Sequence, residues 1–256
     1  MKRWHTFFRV TLCLIFLATI GHAQYDNALF INGITLELGL GNYSVKDEYI
    51  SSEKYSGSMP CYRLSWRKTH KQNIYSLDLE FRESSKIENN NVQTEIQQFT
   101  MNQGFLYPIG VKSLFGKKLH IYLGPATDLF YFYNKPDIAV SGFDYAKSYA
   151  GLFSAGINSE IICPISKTLQ TELSLRLSLL SLGFRSVDEE EDDEDPAKLL
   201  TIISGTNAAM DIGARYRLID RLSLKLSYRA ELARISGWET VLSASDNIIA
   251  GITFSF

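Results

Sequence analysis

The side chains best equipped for chemistry are sixteen ionisable residues set into alternating stretches. The cations are Arg63, Arg67, Arg82, Arg176, Arg215, Arg217, Lys225 and Arg229; the anions are Glu37, Asp78, Glu80, Asp128, Glu160, Glu172, Asp211 and Glu231. Their neighbours one residue away are mostly apolar, so extended backbone puts charge on one face and grease on the other. Eight against eight is a balanced set. A pore selecting one sign of ion would need a biased ring, whereas balanced pairs interlock, because an unpaired buried charge is costly. The set predicts a lumen charge network that mainly fills an interior. A narrow or gated path stays open as the alternative.

Other chemistries have less support. A histidine general base needs a histidine near its substrate, and beyond residue 23 the chain holds His70 and His120 alone. Both fall beside short turns, and two histidines are too few for a His-based metal cluster. The run Asp188, Glu189, Glu190, Glu191, Asp192, Asp193, Glu194 and Asp195 repels itself and reads as a solvated loop. Its second reading is weak Ca²⁺ or Mg²⁺ binding, since hard cations prefer carboxylate oxygens. The spacing matches no EF-hand. No other cofactor is expected.

The elements that position these charges are strands. In Leu169–Leu179 every odd position is apolar or Thr and every even one is Gln, Glu, Ser or Arg, a period of two that no helix could bury on one face. About ten such stretches can be placed: 31–43, 59–69, 74–82, 92–107, 119–133, 149–163, 169–179, 200–218, 222–233 and one ending at Phe256. Within 92–107 the alternation changes phase between Ile96 and Phe99, which predicts a β-bulge. Connections sort by length. Short ones fall at 70–73, 164–168 and 219–221, with a longer one at 108–118; long ones fall at 44–58, 83–91, 134–148, 186–199 and 234–245. Outer-membrane barrels show that rhythm of short turns at one end and long loops at the other.

Residues 1–23 read as a cleaved signal peptide, leaving 24–256 as one barrel domain. Lys2, Arg3 and Arg9 precede an apolar run from Val10 to Ile20, and Gly21-His22-Ala23 supplies a small-residue cleavage site. Eleven apolar residues are too few to span a bilayer as a helix. Cleavage takes Lys+Arg from 26 to 23 against 28 Asp+Glu, a net charge of about −5, and no basic nucleic-acid footprint remains. An exported chain of amphipathic strands can enter a bilayer as a closed barrel, in which every backbone polar group pairs. Cys61 and Cys163 map to opposite ends and should remain free thiols.

The closing alternation Ile248, Ala250, Ile252, Phe254, Phe256 resembles the terminal strand that outer-membrane proteins present to the barrel-assembly machinery. The mature chain resembles the small OmpA/OmpX-like and PorT-like barrel superfamily. That resemblance implies an all-β, antiparallel up-and-down transmembrane barrel, with Ile252, Phe254 and Phe256 as its assembly signal. It also implies a bacterial outer-membrane location, and with ten strands both termini are expected on the periplasmic side. Outer-membrane lipid and lipopolysaccharide are the implied surroundings, with the assembly machinery as a partner during biogenesis. Some barrels of this kind are hydrolases with a His near the external rim, and neither His70 nor His120 fits that position. The expectation is a monomeric, non-catalytic barrel with a structural or surface-interaction role through its long loops. A small-solute channel or a component of an export apparatus is the alternative.

Overall fold

In the computed structural model the alternating stretches close into a cylinder; residues 29–89, 92–137, 147–187 and 197–256 are described. The proposed signal peptide and the acidic run 188–195 lie outside the described residues. Eleven strands follow in order: β1 (Gly33–Asp47), β2 (Ser51–His70), β3 (Asn73–Glu88), β4 (Gln93–Leu114), β5 (Lys117–Asp137), β6 (Ser148–Pro164), β7 (Leu169–Val187), β8 (Ala197–Thr201), β9 (Gly205–Ile219), β10 (Leu222–Ile235) and β11 (Val241–Phe254). Every pairing is antiparallel, β1 pairs with β11, and β7 pairs with both β6 and β9, which closes the sheet. β8 pairs with the far half of β7 and leads through Ile202–Ser204 into β9. The two form one interrupted stave, so the barrel has the ten staves expected.

The connections at one end are 71–72, 115–116, 165–168 and 220–221, and this is the turn end. The stretch 108–118 is therefore no loop: β4 and β5 pair down to Leu114↔Lys117 around Phe115-Gly116. At the opposite, loop end, two expected long loops are also mostly ladder. The 44–58 stretch is a β1–β2 hairpin turning at 48–50, and β3 runs on to Glu88. The hydrogen bonds of the sheet continue well past the apolar wall, which loop composition alone does not reveal.

The expected bulge between Ile96 and Phe99 does not exist. β4 keeps unbroken register there with both neighbours, Ile96↔Ser84 to Phe99↔Phe81 and Ile96↔Asn134 to Phe99↔Tyr131. Ile96 is fully buried inside and Phe99 faces outward in regular alternation. What changes is the surrounding medium. Toward the turn end, the outer wall is apolar (Leu36, Leu38, Leu64, Leu226, Ile252) and the interior is charged. Toward the loop end, the outside carries Asn42, Lys54, Glu83, Lys86, Lys135 and Arg234, while Tyr43, Val45, Ile96, Phe132, Leu152 and Ile235 pack inside. The first sector suits lipid outside; the second is an ordinary water-soluble barrel with a greasy core.

A true bulge lies in β7, where Ala155 pairs with Leu180 and Gly156 with Ser178, leaving Leu179 unpaired. It resets the phase so that Leu180, Leu182 and Phe184 face outward after Leu175 and Leu177. The outward aromatics gather in two groups. Tyr75, Tyr107, Tyr216 and Phe256 stand at the turn end, and Phe81 and Phe153 nearer the loop end. Cys61 is buried inside, Cys163 is half-buried on the wall, and both are free.

Candidate functional site

Inward positions of seven staves converge on one ionic network at mid-barrel. Arg63 is its hub, with Nη1 at 3.3 Å from Glu37 and 2.8 Å from Asp211, and Nη2 at 3.1 Å from Asp78. Lys225 bridges Glu37 at 2.9 Å and Asp211 at 4.0 Å. Arg229 reaches Glu80 at 3.1 Å, Asp211 at 3.4 Å and Glu231 at 2.5 Å. Arg82 joins Glu80 and Glu231 and donates to Ser245 Oγ. Arg176 ties Asp128, at 3.0 Å, to Glu231 at 3.7 Å. Nearer the turn end, Arg67 contacts Glu160 at 2.5 Å and Glu172 at 3.6 Å, and Arg215 contacts Glu172 at 3.2 Å.

Of the sixteen expected residues, fifteen thus meet in ion pairs. Arg217 does not. Its guanidinium lies 4.3 Å from the ring centroid of Phe30, at the turn-end mouth. Backbone parity placed it on the correct strand face, but the N-terminal segment occupies the space its charge would have entered. Sequence reasoning also missed a further pair, Arg185 Nη2 to Asp47 Oδ1 at 2.6 Å, with Asn134 donating to Asp47 Oδ2 at 3.1 Å. Asp47 falls in the 44–58 stretch whose composition reads as a loop, and Arg185 follows the β7 bulge, for which the Leu179-Leu180 doublet is the available signal.

Two apolar layers bracket the ionic one. At the turn end, the chain before β1 folds into the lumen. Ile31 packs with Ile74, Leu106, Tyr122 and Ile162; Phe30 O accepts from Arg215 at 3.2 Å, and Asn32 Oδ1 accepts from the Thr69 N–H at 2.6 Å. At the loop end lies the greasy core, crossed by the β1–β2 tip. Asp47 pins that tip to β5 and β7 on one side, while Glu48 and Thr240 exchange backbone and side-chain hydrogen bonds on another. A concavity of about 1100 Å³ opens on the outer wall among Leu38, Tyr62, Phe81 and Tyr216, where lipid would lie.

The arrangement binds charge to charge, and the serine hydroxyls that donate to its carboxylates, Ser65 to Glu37 and Ser178 to Asp128, are buried within it. Among the described residues no three His, Cys, Asp or Glu side chains gather as a metal site. His70 and His120 both sit at the turn end.

No family model matches the chain, and no curated protein sequence matches it. Solved structures do. The outer-membrane protease OmpT from Escherichia coli aligns at 7% identity with a TM-score of 0.52, over 93% of this chain and 100% of that one. The translocator domain of the autotransporter NalP from Neisseria meningitidis covers 100% of this chain and 97% of its own, at 12% identity and a TM-score of 0.46. Neisserial surface protein A, NspA, covers 87% and 97%, at 12% identity and a TM-score of 0.39. At such identities the likeness speaks to fold alone, and the OmpT match agrees with the closed ten-stave ladder. By fold, this chain is an outer-membrane β-barrel.

Proposed function

We propose that the protein is a non-catalytic, non-conducting barrel that serves as a rigid surface platform in the outer membrane. The carrying observation is the threefold blockage of the lumen by the N-terminal segment, the ionic network and the loop-end core. A pore would have to break all three. The water-soluble loop-end sector then acts as a stalk that lifts the loop-end tips of β5, β6 and β7 clear of the membrane. In this reading the loop end faces outward, both termini are periplasmic, lipid and lipopolysaccharide surround a monomer, and the Ile252, Phe254, Phe256 face is read by the assembly machinery. The acidic run Asp188–Asp195 would gather Ca²⁺ or Mg²⁺ there with roughly millimolar affinity, as weak extracellular sites do.

Against hydrolysis, a general base must lie within hydrogen-bond reach of its proton, and both described histidines are a barrel length from the loops. Planar-bilayer recording of the refolded protein tests the reading. Silence at applied voltage is expected; reproducible unitary steps would refute it and return the channel alternative.

A further inference from the structure

The β4–β5 hairpin at the turn end has no role in the barrel wall. β4 leaves β3 after the pair Ile74↔Leu106, and from Tyr107 to Leu114 its ladder partner is β5 alone. One whole edge of backbone N–H and C=O groups there faces no strand. Every residue from Tyr107 to Gly116 is exposed, including Ile109, Val111, Leu114 and Phe115, the last at 81%. A Cβ built on Gly110 or Gly116 would meet nothing within 4 Å. Isolated two-stranded ribbons are marginal in water, and open apolar edges invite pairing.

The hairpin is also one-signed. Residues 96–127 contain no Asp or Glu, and Lys112, Lys117 and Lys118 cluster at its tip. Lipid is a poor match for this surface. The Tyr75–Phe105–Tyr107 stack, with centroids 4.4 and 4.5 Å apart, marks the edge of the wall where aromatic rings meet headgroups. At about 3.3 Å per residue the tip reaches roughly 25 Å along the strand beyond Tyr107, past a headgroup layer of roughly 5–8 Å even with strand tilt. Lipid also offers no ladder to an open backbone edge.

We propose that this hairpin is a docking edge for an extended acidic segment of a periplasmic protein, which adds as a strand beside β4. Backbone pairing along Gly110–Leu114, beyond the bulge at Pro108–Gly110, supplies the register; Val111 takes an apolar side chain on one face and Lys112 a carboxylate on the other. The periplasmic setting rests on the orientation given above; the edge itself does not.

The test uses full-length protein in detergent and a fluorescent nine-residue peptide alternating Val and Glu. Anisotropy should report saturable binding. Methylating one alternate set of peptide nitrogens should weaken it at least tenfold, while methylating the other set should be tolerated, because a strand beside an edge uses every second N–H. Lys112→Glu should weaken it at least tenfold, and a Val/Lys peptide should not compete. Absence of binding, equal sensitivity to both methylation sets, or an unaffected Lys112→Glu variant would overturn the proposal. So would Lys112-dependent binding to phosphatidylglycerol vesicles with none to the peptide. Bilayer conductance would leave these readouts unchanged. Labelling of a Ser113→Cys variant by an impermeant maleimide in intact cells would overturn the periplasmic setting.

Discussion

Replacing Arg63 by Met should be far more damaging than removing any one of its partners. Arg63 touches Glu37, Asp78 and Asp211. Two of these keep other cations: Glu37 keeps Lys225 at 2.9 Å, and Asp211 keeps Arg229 at 3.4 Å. Asp78 keeps none within ion-pair distance among the described residues. Its carboxylate would stay inside the barrel with no cation in contact, close to the situation that costs about 3–5 kcal/mol when one partner of a buried pair is removed. Asp78→Asn leaves Arg63 two carboxylates and an amide to donate to, so its cost should be about 1 kcal/mol, the scale of one hydrogen bond. The double variant should recover at least half the loss of Arg63→Met. Urea titration of protein refolded into phospholipid vesicles, read by tryptophan emission and gel mobility, measures all three. Equal losses for the two single variants, or a double variant no better than Arg63→Met, would mean that water or a bound ion compensates Asp78 and that the lumen is not the dry, filled interior described.

Leu175→Arg should cost about 2–4 kcal/mol by placing a charge against hydrocarbon, while Ser174→Arg, opposite Glu160 and Asp211, should cost much less; equal costs in the same titration would place β7 in the wrong phase. Lys71 and Gln72 turn the β2–β3 hairpin with φ of 50° and 77°, so Gln72→Gly should raise stability by about 1 kcal/mol, and a fall in the urea midpoint would count against that strain. Glu48, exposed on the β1–β2 tip, is held at about 2 by hydrogen bonds from Lys46 and the Thr240 N–H. Its contact should be whole above pH 4.5 and lost as pH falls toward 2. Amide exchange at 48 and 240 should quicken over that window while the wall stays protected, and pH-independent exchange would remove Glu48 as the clasp.

Alternation was legible because one residue of slip moves every side chain to the other face. Leu169–Leu179 therefore announced its strand and the facing of Glu172 and Arg176. The same logic misread Ile96 and Phe99, because apolar-out is a rule of the lipid zone only, and nothing local in the sequence marks where that zone stops. Asp47 looked like a loop acid for that reason, although it belongs to a strand whose inside has turned greasy. Phe30 and Ile31 precede the first alternating stretch, so no period flagged them as stoppers for the mouth. The charged residues of the lumen were readable as a set; which cation meets which anion depends on the stagger of the staves, which no single strand encodes.

The exchange of sides along each strand also fixes how high the barrel floats. Pushing it inward by one ring would carry Asn42, Ser58, Glu83 and Gln97 into hydrocarbon, and lifting it would bring Leu38, Leu64 and Leu226 into water. Both displacements are uphill, so the barrel carries its own waterline. In a thicker or thinner bilayer it is the lipid around the wall that must stretch or compress to meet that line. Ser44 and Ser56 should then sit at a constant depth whatever the host membrane, which makes the platform above them a fixed height rather than an adjustable one.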